Sequence, residues 1–337
     1  MKPTWEDLNA RARGLGTHLL TRSQLDTLAR APDVATLGAE LRRLGYPVAE
    51  EDVSPVALDL ALRRTAAARL RILGWWCGPR AAVLAVLFED EDRRSLRAVL
   101  RGAVQGIVPE ARLAGLVPTP ALPERALQEL ALQDNPGAVA ALLVAWRNPY
   151  GSVLLPDAAA AQPDLFRLEL LLNRAYAARA LRASRKVGGL LTAYVRDVID
   201  LENAYTALVL AAEGKDITPK DAFLAGGARV TIAAFVLAAA ARGPGLAGRE
   251  LTAAFGRTPL ARAFERYGDD AVTLEATVLR IRIGELVRAT RTDPLGPALV
   301  LAYTLRLRAE ALDLRRIIWG VALGAPRGAL VQDLVSR

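Results

Sequence analysis

The sequence predicts an all-α protein, and three observations carry that expectation. Its 337 residues are 52% hydrophobic yet only 5% aromatic, and the apolar share is mostly Ala and Leu, strong helix formers with little strand preference. Apolar residues recur at helical steps: Leu190, Tyr194, Leu201, Tyr205 and Leu208 at 4, 7, 4 and 3, and Leu301, Leu305, Ala309 and Leu312 at 4, 4 and 3. Proline-rich breaks at 117–123, 148–152, 241–248 and 292–297 punctuate these periodic segments. At ~100–200 residues per domain the length allows two or three domains with a sizeable core.

In chain order, ILGWWCGP at 72–79 reads as a helix end whose Trp75 and Trp76 sit in the core, since apolar neighbours precede them and Gly-Pro follows. EDED at 89–92 lacks the interleaved spacing of a calcium loop and reads as a solvated helix segment. From Leu190 to Glu213 there is neither Gly nor Pro, which is long for a globular helix and suggests a strut. VTIAAFVLAAAA at 230–241 has 12 residues; a bilayer span needs ~20, so this is a buried helix. In TDPLGP at 292–297, Thr292 or Asp293 can cap a helix and Pro294 can take its first position.

The most informative feature is an internal repeat. Aligning Gly106, Gly214 and Gly324, which stand 108 and 110 apart, puts DRRSLRAVLRGAVQG, DLENAYTALVLAAEG and EALDLRRIIWGVALG in one frame. An acid leads each copy (Asp92, Asp200, Glu310), and a polar residue follows at the third step (Ser95, Asn203, Asp313). An apolar stretch then runs to the Gly, with Pro109, Pro219 or Pro326 soon after. Gly can close a helix in the left-handed conformation and the proline stops it restarting. Residues three apart share a face, so each acid and its companion project together. The repeat divides the chain into helical domains 1–122, 123–228 and 229–337. Asp200, Glu202 and Asn203 are conspicuous because the helix around them is otherwise aliphatic.

Catalytic and ligand-binding sets are missing from the pattern. His18 and Cys77 are each the single residue of their type, so no zinc site or Cys/His pair can be completed, and no disulfide framework exists. With no signal-peptide pattern, the expected compartment is the cytosol. EGKD at 213–216 lacks the rest of a phosphate loop and reads as a helix end with a solvated Lys. The net charge of +8 comes from Arg scattered among Asp and Glu, with Lys only at 2, 186, 215 and 220. That pattern describes solvated helix faces, although the sign favours an acidic partner or an anionic membrane surface. No cofactor, metal or nucleic-acid motif accompanies it.

Three blocks then carry a family resemblance: LNARARGLGTHLL at 8–20, DLENAYTALVLAAEGKD with FLAGG at 223–227, and the stretch from DPLGPALVLAYTLRLRAEALDLRRIIWGVALG to ALVQDLV at 293–335. In order and spacing the chain resembles the central-stalk subunit of V-type and A-type rotary ATPases, the C-type stalk component of bacteria and archaea and the d-type one of eukaryotes. It departs in having Asp313-Leu314-Arg315 where the family usually has Asn-Leu-Arg, and Ser95 where Asn is common. The resemblance implies a funnel of three similar helical domains about a pseudo-threefold axis, non-catalytic and peripheral on the cytoplasmic face of the membrane. It would receive the rotating shaft and sit on the membrane rotor ring, coupling ATP chemistry to proton or sodium transport. Asp92, Ser95, Asp200, Glu202, Asn203, Glu310 and Asp313 become candidates for partner contact or for bonds to loops of their own domain. The competing expectation is a helical scaffold that binds an acidic protein or RNA.

Overall fold

A computed structural model describes residues 5–213, 218–267, 270–332 and 334–336. Among the described residues the regular structure is all helix, with no strand, so the all-α expectation holds. After α1 (Glu6–Gly16), a similar order of elements occurs three times, with two short helices ahead of the long pair in the first period and three in the second and third. Short α2 (Arg22–Leu28) and α3 (Val34–Arg43) precede long α4 (Pro55–Cys77) and α5 (Ala81–Val104) and the one-turn α6 (Pro109–Arg112). Then α7 (Glu124–Ala131), α8 (Pro136–Ala145) and α9 (Gly151–Ala158) precede long α10 (Leu165–Val187) and α11 (Gly189–Glu213) and one-turn α12 (Pro219–Ala222). Last, α13 (Ile232–Ala239), α14 (Pro244–Phe255) and α15 (Pro259–Glu265) precede long α16 (Ala271–Thr292) and α17 (Ala298–Ala322) and short α18 (Arg327–Gln332).

Local chemistry sets the boundaries. Thr21, Ser54, Asp164 and Thr231 accept hydrogen bonds from the exposed N–H groups of the first turn behind them. Gly106 and Gly324 follow α5 and α17 with φ of +64° and +67°, the left-handed stop that the alignment expects. Gly214 and the rest of GKD lie outside the described residues. The Leu190–Glu213 strut is the uninterrupted α11.

The chain forms two compact units, one made of the chain up to Val139 and from Arg282 onward, the other of Ala140–Ile281. In the first, Leu25 and Leu28 of α2 and Leu37 and Leu41 of α3 share a core with Leu314, Ile317 and Ile318 of α17. The N-terminal short helices thus pack on the long helix that closes the third period, and α7 packs on α5. In the second, Leu201, Ala204 and Leu208 of α11 meet Phe235, Leu251 and Phe264, with Phe255 and Phe264 stacked at 4.8 Å. In each case short helices cover an apolar stripe on the last long helix of the period before, a stripe that helix cannot bury alone.

Four expectations need correction, the first being the buried helix at 230–241: α13 buries Phe235, Ala238 and Ala239 on one face and leaves Ile232 and Leu237 exposed on the other. Asp90 and Asp92 of the EDED segment are buried: α5 packs against α4, α6 and α7, and the following Arg93 and Arg94 neutralise Asp90 at 2.7 and 3.2 Å. Trp75 is 84% exposed, because α4 turns Leu70, Leu73 and Cys77 to the core and leaves Trp75 on the opposite flank; Trp76 lies under the Arg11 guanidinium at 5.2 Å. The segment 293–297 is a turn, with Pro297 at the N-cap of α17. The carbonyls of Pro294 and Gly296 are held at 3.0 Å by the side-chain amide of Asn9 on α1.

Candidate functional site

All seven polar residues singled out by the repeat and the central helix are buried, none more than 6% exposed. A buried carboxylate or amide must find partners inside the protein, and most of these find them on chain that returns after the helix has ended.

In the middle period, Asp200 accepts from three consecutive backbone N–H groups: Ala228 at 2.9 Å, Arg229 at 2.9 Å and Val230 at 3.0 Å. One residue later Thr231 caps α13, so the carboxylate holds the chain at the entry to the next short helices. The FLAGG segment is shaped for this approach. A Cβ on Gly227 would come within 2.1 Å of Asp200 Oδ1, and Gly226 has φ of +113° with Leu181 against it. Burial pushes the Asp200 carboxyl above the usual range, opposed by the N–H bonds from residues 228–230. Asn203 pairs twice with Leu224, accepting its N–H at 2.8 Å and donating to its carbonyl at 2.9 Å. Glu202 accepts from the Asn173 amide at 3.3 Å.

The first period repeats the arrangement with a hydroxyl inserted. Asp92 accepts from Thr119 Oγ1, which in turn accepts the N–H of Leu122 at 3.0 Å, immediately before α7. Burial, with further help from the charges of Glu91 and Glu89 and against the Thr119 hydrogen bond, pushes the Asp92 carboxyl up to about 7. Ser95 is buried and its hydroxyl has no hydrogen-bond partner among the described residues.

In the third period the equivalent returning chain is the N-terminus. Glu310 accepts from the N–H of Leu20 at 2.5 Å, one residue before the Thr21 cap of α2, and from the Tyr46 hydroxyl at 2.9 Å. Arg69 of α4 pairs with the same carboxylate at 2.5 Å and donates to the His18 carbonyl at 2.8 Å. Asp313 accepts from the N–H groups of Val335 at 2.6 Å and Ser336 at 2.8 Å, and burial pushes its carboxyl upward against those bonds. Asn203 and Asp313 therefore make the same connection, each to chain 21–23 residues ahead.

Asn9, Tyr46, Arg69 and Thr119 complete these networks and were not singled out from the sequence. Each partners a group far along the chain, which no local pattern signals; Asn9, inside the NARARG block, and Thr119, inside the proline-rich break at 117–123, lie in segments that the sequence marks for other reasons. His18 is exposed. Cys77 is fully buried, with its thiol pushed up to about 11 by burial, as a core residue rather than a nucleophile. Among the described residues no three His, Cys, Asp or Glu side chains converge as a metal site, and no helix is long and apolar enough to cross a membrane.

Comparison with curated proteins gave no match. The family model described as ATP synthase (C/AC39) subunit matches residues 8–330, which takes in all seven of the buried polar residues above and all their partners except Val335 and Ser336. The chain therefore belongs to the ATP synthase (C/AC39) subunit family of the V- and A-type rotary ATPases.

Proposed function

We propose that the chain is a non-catalytic central-stalk adapter, peripheral on the cytoplasmic face of the membrane, that couples the rotating shaft of a V- or A-type ATPase to its membrane rotor ring for proton or sodium transport. The family match across residues 8–330 is the observation that carries this reading. It is supported by the threefold recurrence of element order, which suits three domains, 1–122, 123–228 and 229–337, set around a pseudo-threefold axis as a funnel. The role calls on no cofactor, metal or nucleic acid.

An adapter must carry torque without yielding, so its loops have to be fixed to its long helices. The buried carboxylates Asp200, Glu310 and Asp313 suit that demand, since charge-assisted hydrogen bonds to backbone N–H groups are short and strong, and Asp92 through Thr119 and the amide of Asn203 through Leu224 add to it. In this reading the seven polar positions serve partner binding through the loops and helices that they position. Motor complexes assembled with and without the chain test the proposal. Without it the ATPase head should hydrolyse ATP while ion transport stops, and adding the chain back should restore transport. Ion transport that proceeds at full rate without the chain would overturn the assignment.

A further inference from the structure

The outer flank of α4 has no role in the networks described so far. Arg64, Ala68, Arg71 and Trp75 follow at steps of four, three and four, with Ile72 four after Ala68 and three before Trp75, and so share one side of the helix. This flank, from Arg64 to Ile72, lines an open groove of about 980 Å³ together with Pro47, the segment 118–123 and the start of α7. Four prolines, at 47, 118, 120 and 123, give the lining rigid apolar surface without N–H donors. Four guanidinium groups, of Arg64, Arg69, Arg71 and Arg125, face a single lining carboxylate, that of Glu124.

The four arginines differ in how free they are. Arg69 is committed to Glu310 at 2.5 Å. Arg64 and Arg125 pair with Glu124 and Glu129 through side chains that are 56% and 89% exposed, and pairs in that much water are weak enough to be exchanged for a better anion. Arg71 is exposed and makes no ion pair among the described residues. Trp75 at the end of the same flank is 84% exposed, a large aromatic surface of the kind that anchors interfaces. From Arg64 to Trp75 the flank runs ~16 Å at 1.5 Å per residue, which suits a linear segment better than a compact ligand.

We propose that this groove docks an acidic segment of a partner protein, with carboxylates on Arg64, Arg71 and Arg125 and an apolar side chain against Ile72 and Trp75. Nucleic acid fits the lining less well, because it offers one exposed aromatic and proline walls instead of successive stacking platforms. The inference stands on the groove alone and is independent of the assignment to the rotary motor.

The test uses the full chain and a fluorescein-labelled peptide of about 12 residues, with Glu and Leu at helical spacing to match the flank, read by anisotropy at low salt. The wild type should bind, R71E/R125E should weaken binding by about tenfold or more, and W75A should weaken it several-fold. R13E/R291E, an equal charge change on exposed residues outside the lining, should leave binding close to wild type. All substituted side chains are exposed, so circular dichroism should show the fold retained. The proposal fails if the wild type does not bind the peptide, or if R13E/R291E loses as much as R71E/R125E. It fails equally if a uridine oligonucleotide binds more tightly and is the ligand that R71E/R125E releases, which would assign the groove to nucleic acid.

Discussion

Replacing Asp200 with Ala removes the acceptor of three backbone N–H groups at once, at 2.9, 2.9 and 3.0 Å. The Val230 bond is buried and the other two are partly buried. An orphaned buried donor costs about 1–3 kcal/mol, and water can repair much of the loss at the other two. Against this, the carboxylate is held at a desolvation cost that already raises its pKa, and its removal returns part of that cost. The net expectation is about 2–3 kcal/mol, felt first as opening of the chain at 228–230. A chain of this size with two compact units need not unfold in one step, so a local readout is better than a melting temperature. Amide exchange followed by mass spectrometry should show residues 228–230 exchanging about 30- to 150-fold faster in D200A than in wild type. Exchange should change less around Leu224, which Asn203 holds separately. Unchanged exchange at 228–230 would refute the claim that Asp200 fixes this loop.

Other outcomes follow from the same geometry. Gly227→Ala places a methyl within 2.1 Å of the Asp200 carboxylate and should cost about 1–3 kcal/mol by overpacking; in D200A the same substitution should cost clearly less, and additive losses in urea unfolding would contradict the contact. Glu310→Lys puts a second cation beside Arg69 and removes the acceptor of Leu20 and Tyr46, so it should lose about 3–5 kcal/mol and expose the N-terminal segment to protease. An unchanged unfolding curve with lost partner binding would instead make Glu310 a contact residue. The Asp92 carboxyl stands at about 7 in the folded chain against 3.8 as its ordinary value. A raised folded pKa means a contribution that is complete below the ordinary value and lost as pH rises through 7. The stability of D92N relative to wild type should therefore improve by about 2–3 kcal/mol between pH 5 and pH 8 at ~1.4 kcal/mol per unit, and parallel pH profiles would count against it.

The helical class, the strut at α11, the glycine stops at 106 and 324 and the recurring polar positions were legible in the sequence, because each rests on local periodicity or on self-similarity at a fixed interval. The destination of the polar groups was not. Asp200 reaches chain 28–30 residues ahead, and Glu310 reaches Leu20 at a separation of 290 residues. A linear alignment ends the third copy near the C-terminus, so it cannot show that the N-terminus supplies the missing loop. The EDED segment was misread for a related reason: charge composition suggests solvent, whereas Arg93 and Arg94 allow Asp90 to be buried. Trp75 was misplaced because its apolar neighbours suggested core, while the helical position that puts Leu73 and Cys77 inward puts Trp75 outward.

Co-purification tests the central claim most directly: the tagged chain is recovered from membranes dissolved in mild detergent and scored for ring protein and ATPase activity. A central-stalk adapter should bring both along in fixed proportion and keep them through a moderate salt wash. Recovery of the chain alone, or with nucleic acid that salt removes, would contradict the adapter role.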